Sequence, residues 1–192
     1  MNFNFHSSHR AVVGFAFFSY LALTVLIAII PAASVQDTPG IPGVAARGAL
    51  AEQGRVVYLR EGCGFCHTQF VRDLPLDRPY GRATVAGDYA NEDPPLPGTE
   101  RTGPDLSNVA ARQPSDTWHL LHLYNPRAVV PQSVMPGFPW YFEEKAAAGP
   151  EDVVVPVPPR FVSAAGHVLV ARQEARALVA YLLSLRQPEL PR

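Results

Sequence analysis

Cys63, Cys66 and His67 stand in the run Glu61-Gly-Cys-Gly-Phe-Cys-His-Thr-Gln69, spaced C-x-x-C-H. Two thiols about one turn apart can each form a thioether to a vinyl group of a haem. The imidazole next in the chain is then placed beneath the iron as its proximal ligand. Other readings of these residues need partners that the sequence does not supply. A structural zinc site takes four ligands, commonly with a second close Cys or His pair, and the chain has only two cysteines. A thioredoxin-like dithiol belongs in a βαβ setting. A Cys63–Cys66 disulfide would close a very tight loop and leave His67 without a role. The spacing therefore predicts one covalently attached haem c.

A haem that only carries electrons needs a sixth ligand, and a thioether sulfur raises its potential relative to a second imidazole. Of the two methionines one is Met1, which leaves Met135 in Val130-Pro-Gln-Ser-Val-Met-Pro-Gly-Phe-Pro-Trp140. Pro131, Pro136 and Pro139 fix φ and remove backbone donors, so this stretch reads as a stiff loop. Stiffness suits a weak ligand, because little conformational entropy remains to be lost when sulfur meets iron. The competing role for Met135 is core filler, and the competing ligands are His119, His122 and His167.

These residues must be positioned by a chain of 192 residues, enough for one modest domain with additions. A net charge of −1 implies neither nucleic acid nor an anionic membrane surface as partner. Ala11 to Ile30 is a run of twenty residues without a charge. As a helix it would reach about 30 Å, the depth of one bilayer core. A cleavable leader ending near Ala32-Ala-Ser34 is the rival, but its apolar region should run only about 7–15 residues. A retained single transmembrane helix is the expectation. The span holds no ionisable group except Tyr20, which argues against an ion or proton route. His6, His9 and Arg10 before it, against Asp37 and Arg47 after it, orient it only feebly. Haem c is attached on the outer side of the membrane, so the haem domain is expected on the periplasmic face.

The expected organisation is an anchor over 1–33, a linker over 34–48 and a haem domain over 49–192. Residues 31–47 are rich in Pro, Gly and Ala. From about Leu50 a helix should lead into the haem motif, with Gly54, Val57 and Tyr58 on one face. Leu74 to Pro104 should be mostly loop. Ser115 can cap a short helix that carries Trp118 and Leu121 and stops before Pro126. Glu143 to Pro159 reads as an irregular excursion. Ala171, Ala175, Leu178, Leu182 and Leu185 predict a last helix that ends at Pro188. The plan is mainly α with long loops, and a buried macrocycle would supply apolar core that so small a domain lacks.

Gly103-Pro-Asp-Leu106, between the haem motif and Met135, resembles the G-P-x-L run of class I cytochromes c. That resemblance implies that the Pro104 carbonyl accepts a hydrogen bond from the His67 ring, fixing it and strengthening its donation to iron. Gly54 and Tyr58 with Leu178 and Tyr181 are similar to the crossed terminal helices of that fold. The likeness goes further. Gly54 to Gln69, Tyr80-Gly, Val85-Ala-Gly-Asp-Tyr89, Arg101-Thr-Gly-Pro-Asp-Leu106, Trp118-His, Asn125-Pro-Arg and the Met135 loop resemble, in order, the monohaem subunit II of cbb3-type cytochrome c oxidases, the FixO family. Together they cover about residues 54–142.

The resemblance implies a membrane-anchored relay of single electrons to a catalytic haem–copper subunit, from an external or companion cytochrome. It places the chain in a bacterial cytoplasmic membrane, as an electron-transfer subunit that does not reduce oxygen alone. Arg101 and Arg112 are candidates to face haem propionates or are solvated surface arginines, while Trp118 and Trp140 could pack on the haem or serve as core aromatics. Asp93-Pro-Pro-Leu-Pro-Gly98 and the Pro-rich stretch around 150–160 depart from the family's pattern, which bears on the partner-facing surface. Two other roles fit the same haem: the cytochrome subunit of a nitric oxide reductase, and a free-standing membrane-bound shuttle or haem sensor.

Overall fold

The computed structural model describes residues 8–36, 39–44, 46–162 and 166–190. His6 and Asp37, which bear on the orientation of the span, lie outside the described residues. The chain divides into two compact units, Met1–Gly40 and Ile41–Arg192.

The first unit is one helical run. Ser8 caps α1 (His9–Thr24), its hydroxyl accepting from the Ala11 N–H. A π-helical segment, Val25–Ile29, then leads into α2 (Ile30–Gln36). The stretch His9–Ser34 is long and apolar enough to cross a membrane, with a mean hydropathy of 2.4. Phe18, Tyr20 and Ile27 are exposed along it. The helix runs through Pro31 rather than giving way to linker there. A proline ring inside a helix strikes the carbonyl four residues back. Just ahead of it the Ile30 N–H bonds Val25 O, five residues back, and this wider turn makes room for the ring.

In the second unit, α3 (Ala49–Arg60) turns Ala51, Gly54, Val57 and Tyr58 inward, and α6 (Gln173–Ser184) buries Ala175, Ala177, Leu178, Tyr181 and Leu182. The two pack closest at Gly54, where a Cβ would stand 1.9 Å from Ala177 O and 2.8 Å from Tyr181 Cβ. The Tyr58 and Tyr181 rings meet at 5.2 Å alongside. Two short helices, α4 (Val109–Arg112) and α5 (Asp116–Tyr124), pack against α6. Ser115 caps α5 as expected, accepting from the Trp118 N–H at 3.2 Å. Between Leu74 and Pro104 only 3-10 turns interrupt the loop, at Arg78–Tyr80 and Ala86–Tyr89.

Two expectations are corrected. The stretch from Glu143 is not irregular: β1 (Phe142–Lys145) and β2 (Val153–Val155) both pair antiparallel with β3 (Val168–Ala171), in the order β1-β3-β2. Strands of three or four residues carry almost no periodic signal, and their pairing is decided by a segment well downstream. Ala171 belongs to β3 and not to the last helix, because Arg172 is extended (φ −71°, ψ 165°) and α6 begins after it. The same helix stops at Ser184, ahead of Pro188.

The core joins Tyr58, Leu106, Leu120, Leu123, Phe138, Tyr141, Leu178 and Tyr181. Gly54→Ala should lower stability by about 1–3 kcal/mol, because the added methyl meets backbone that cannot swing aside. Val56→Ala, on the exposed side of the same helix, should change it by less than about 0.5 kcal/mol. Denaturant midpoints of the two variants check this.

Candidate functional site

Helix α3 delivers the cysteines. It ends at Arg60, and Gly62 comes next but one in the left-handed region (φ +68°), with its N–H on Leu59 O. A glycine there closes the helix without Cβ strain. The chain then makes a tight 3-10 turn over Cys63–Phe65, in which Cys66 N–H and His67 N–H both bond Cys63 O. Both thiols are free, Cys63 half-buried against the core and Cys66 exposed. Burial pushes the Cys63 thiol up to about 12. A thiol kept neutral is the wrong species for a reactive redox dithiol.

His67 Nδ1 lies 2.8 Å from Pro104 O. A carbonyl only accepts, so Nδ1 carries the proton and Nε2 keeps its lone pair. Burial holds the His67 pKa below the usual value, opposed by the Pro104 bond. The ring is therefore neutral and ready to ligate. It rests on Gly103, where a Cβ would fall 2.3 Å from His67 Cε1. The segments are further tied by Gly103 N–H to Cys66 O and Leu106 N–H to Thr68 O, each 2.8 Å.

Arg101 is held by several partners within the protein. Its Nε donates to Thr68 Oγ1 (2.8 Å), and its two terminal nitrogens reach Asp77, the Phe70 carbonyl and Asp105. The guanidinium lies over the Tyr80 ring at 5.2 Å. Asp77 and Asp105 are both fully buried. Asp77 also accepts from Arg72 at 2.9 Å through each oxygen. Four of the five N–H donors of Arg101 are thus engaged within the protein, which leaves one on the nitrogen that faces Asp77.

Met135 is half-buried against the core. Its loop is pinned to the end of α5: Phe138 N–H bonds Leu123 O at 2.8 Å, and Arg127 donates to Ser133 O at 3.0 Å. Gly137 passes so close that a Cβ would lie 2.6 Å from Tyr124 O. Arg127 and Gly137 were legible only as members of the Asn125-Pro-Arg and Met-Pro-Gly runs, with no cue to these contacts. Trp118 is stacked on His122 (4.7 Å, 11°), while Trp140 is largely exposed. His119 is buried with Nε2 at 2.9 Å from Gln113 O, so this imidazole is already engaged. His167 lies just ahead of β3.

The family described as cytochrome C oxidase, mono-heme subunit/FixO matches residues 6–154. The chain belongs to this family. No curated protein matches it. The matched stretch takes in the apolar helix, Cys63, Cys66, His67, Pro104 and Met135, and stops inside β2. In this FixO-family chain β3 and α6 complete the fold beyond the match.

The residues present fit the family's haem. Two free thiols, an imidazole with its proton on Nδ1 and a thioether would make the donor set. Among the described residues, four buried side-chain atoms lack a partner: Tyr58 Oη, Ser107 Oγ, Arg112 Nε and His122 Nδ1. Such atoms call for an explanation. Arg112 and His122 both lie within electrostatic reach of His67, and burial, with His119 and His67 adding to it, pushes His122 down to about 4. An anionic carboxylate at that place would answer the open Arg112 donor. A groove of about 390 Å³ elsewhere, walled by Arg47, Tyr89, Glu92 and Gln187, includes none of the haem-motif residues.

Arg72, with Arg101 beside it, holds the Asp77 carboxyl well below the usual carboxylate range. A depressed pKa stabilises the fold above the unfolded value, and that contribution is lost as pH falls through the folded one. Stability should therefore decline as pH drops below about 4. Asp77→Asn should be less stable at pH 7 and show a shallower acid limb. Urea titrations between pH 7 and pH 2.5 measure both.

Proposed function

We propose that this chain is the membrane-anchored electron-relay subunit of a cbb3-type cytochrome c oxidase. Residues 1–33 would serve as anchor, 34–48 as connection and 49–192 as a class I cytochrome c-like domain on the periplasmic side. The observation that carries the reading is the His67 ring bonded to Pro104 O directly after C-x-x-C, in a chain of the mono-haem oxidase family. The close packing of α3 and α6 at Gly54, with Tyr58 against Tyr181, supports the fold assignment.

Cys63 and Cys66 would hold the haem, each S–H adding across one vinyl group to leave a thioether. His67 Nε2 and the Met135 sulfur would supply the axial ligands. Haem c so held supplies one-electron cycling between Fe(II) and Fe(III). The protein's task is to keep geometry constant while the charge changes. Pro104 fixes the imidazole, and the Arg127, Phe138 and Gly137 contacts fix the methionine loop. Arg112 and His122 would be the groups to meet the haem's carboxylates. Electrons would enter from a donor cytochrome and leave to the catalytic haem–copper subunit.

The purified chain should carry one haem by intact mass, and Cys63→Ser with Cys66→Ser should abolish covalent attachment. Met135→Leu should keep the haem, lose the near-infrared sulfur-to-iron charge-transfer band of the oxidised state, and gain carbon monoxide binding when reduced. A colourless protein of unmodified mass would end this reading. Gentle detergent extraction decides the complex: a partner with copper beside high-spin haem is expected. A partner with non-haem iron would make it a nitric oxide reductase subunit, and a lone monomer a shuttle.

A further inference from the structure

The hydrogen bond between His67 and Pro104 is braced one residue further along on both sides. Thr68 is next to His67 and Asp105 is next to Pro104, and the Thr68 hydroxyl donates to Asp105 Oδ2 at 2.7 Å. The same Oδ2 accepts the Phe70 N–H at 2.8 Å, and Oδ1 accepts the Ser107 N–H at 2.8 Å. Arg101 closes the figure, reaching Thr68 Oγ1, Phe70 O and Asp105 from one guanidinium. Its other arm holds the buried Asp77. None of these groups need touch a haem to act on one. They tie together the two stretches of chain that carry the His67 ring and the Pro104 carbonyl.

We propose that Thr68, Asp105 and Arg101 form a positioning clamp for the proximal imidazole, and that this clamp sets the iron's redox equilibrium through the His67–Pro104 bond. The clamp presupposes the haem assigned under the proposed function. A carbonyl held close to Nδ1–H makes the imidazole more basic and a better donor, which favours Fe(III). Loosening the clamp weakens that donation, favours Fe(II) and raises the midpoint potential. Only a fork with several donors can span three acceptors; an ammonium is a point charge and cannot.

The test uses the full-length holoprotein in detergent and two substitutions that leave net charge unchanged, Thr68→Val and Arg101→Lys. Each should shift the one-electron equilibrium about threefold toward the reduced form, an upward move of about 30 mV at 59 mV per tenfold. Thr68→Ser restores the hydroxyl and should return the wild-type potential. Arg82→Lys, which disturbs the separate Arg82–Asp88 pair, is the control for general loosening and should leave the potential in place. An unchanged potential in Thr68→Val would overturn the clamp, as would an equal shift in Arg82→Lys. If Arg101→Lys does not fold, Thr68→Val and Thr68→Ser decide alone. Absence of haem from the wild type would instead remove the underlying reading, and the haem content measured first separates the two failures.

Discussion

An imidazole that is to serve as a permanent ligand must be neutral, singly protonated on the correct nitrogen, and unable to rotate. Burial meets the first demand, and one contact meets the other two, the bond between His67 Nδ1 and the Pro104 carbonyl. Much of the surrounding structure can be understood as meeting the requirements of that contact. Gly103 leaves room for the ring, since any side chain would occupy its place. Pro104 limits backbone motion at the acceptor. The ladder from Cys66 O to Leu106 N–H keeps the two stretches of chain in register, so the acceptor cannot slide past the ring. Helix α3, closed by left-handed Gly62, brings the motif to this place from a core fixed by the α3–α6 contact.

The loop of Met135, the proposed second ligand, is held by different means. Around Met135 the restraint comes from prolines, from Gly137 against Tyr124 O, and from the packing of residues 141–145. Phe142 of β1 meets Tyr124 at 5.3 Å, Tyr141 is buried, and Arg172 N–H bonds Tyr141 O at 2.9 Å. The three-stranded sheet thereby anchors the outgoing stem of the methionine loop. This gives the segment beyond Glu143 a structural purpose. A thioether binds iron weakly, so a loop free to wander would lose it; the sheet reduces that freedom before any ligand bond forms.

The parts of this plan that could be read from the chain are those where chemistry or periodicity is local. C-x-x-C-H, Gly103-Pro104, the Ser115 cap and the inward faces of α3 and α6 each lie within a few residues of one another. The strands escaped because β1, Phe-Glu-Glu-Lys, shows only one buried residue, and β3, its partner, lies more than twenty positions away. Arg101 was legible as a cation near the haem motif, but nothing in the sequence says which of many carboxylates it meets. Its partner Asp77 is twenty-four residues back in a loop. Nothing in the sequence announced that the helix would continue to Gln36 through Pro31, because the compensation, a π turn, leaves no compositional trace.

The charge balance of the buried network bears on why it can stand beside a redox centre at all. Asp77 and Asp105 are fully buried, and two uncompensated carboxylates there would favour Fe(III) strongly, since interior charges are poorly screened. Arg72 and Arg101 pair with these two carboxylates, so the four ion-paired groups carry no net charge among themselves, while Arg112 stands beside them over the same Tyr80 ring. A neutral cluster adds little net field at the iron while keeping many directional, charge-assisted bonds. The paired charges thus serve chiefly to hold the His67–Pro104 geometry, through which the proposed clamp would act on the iron.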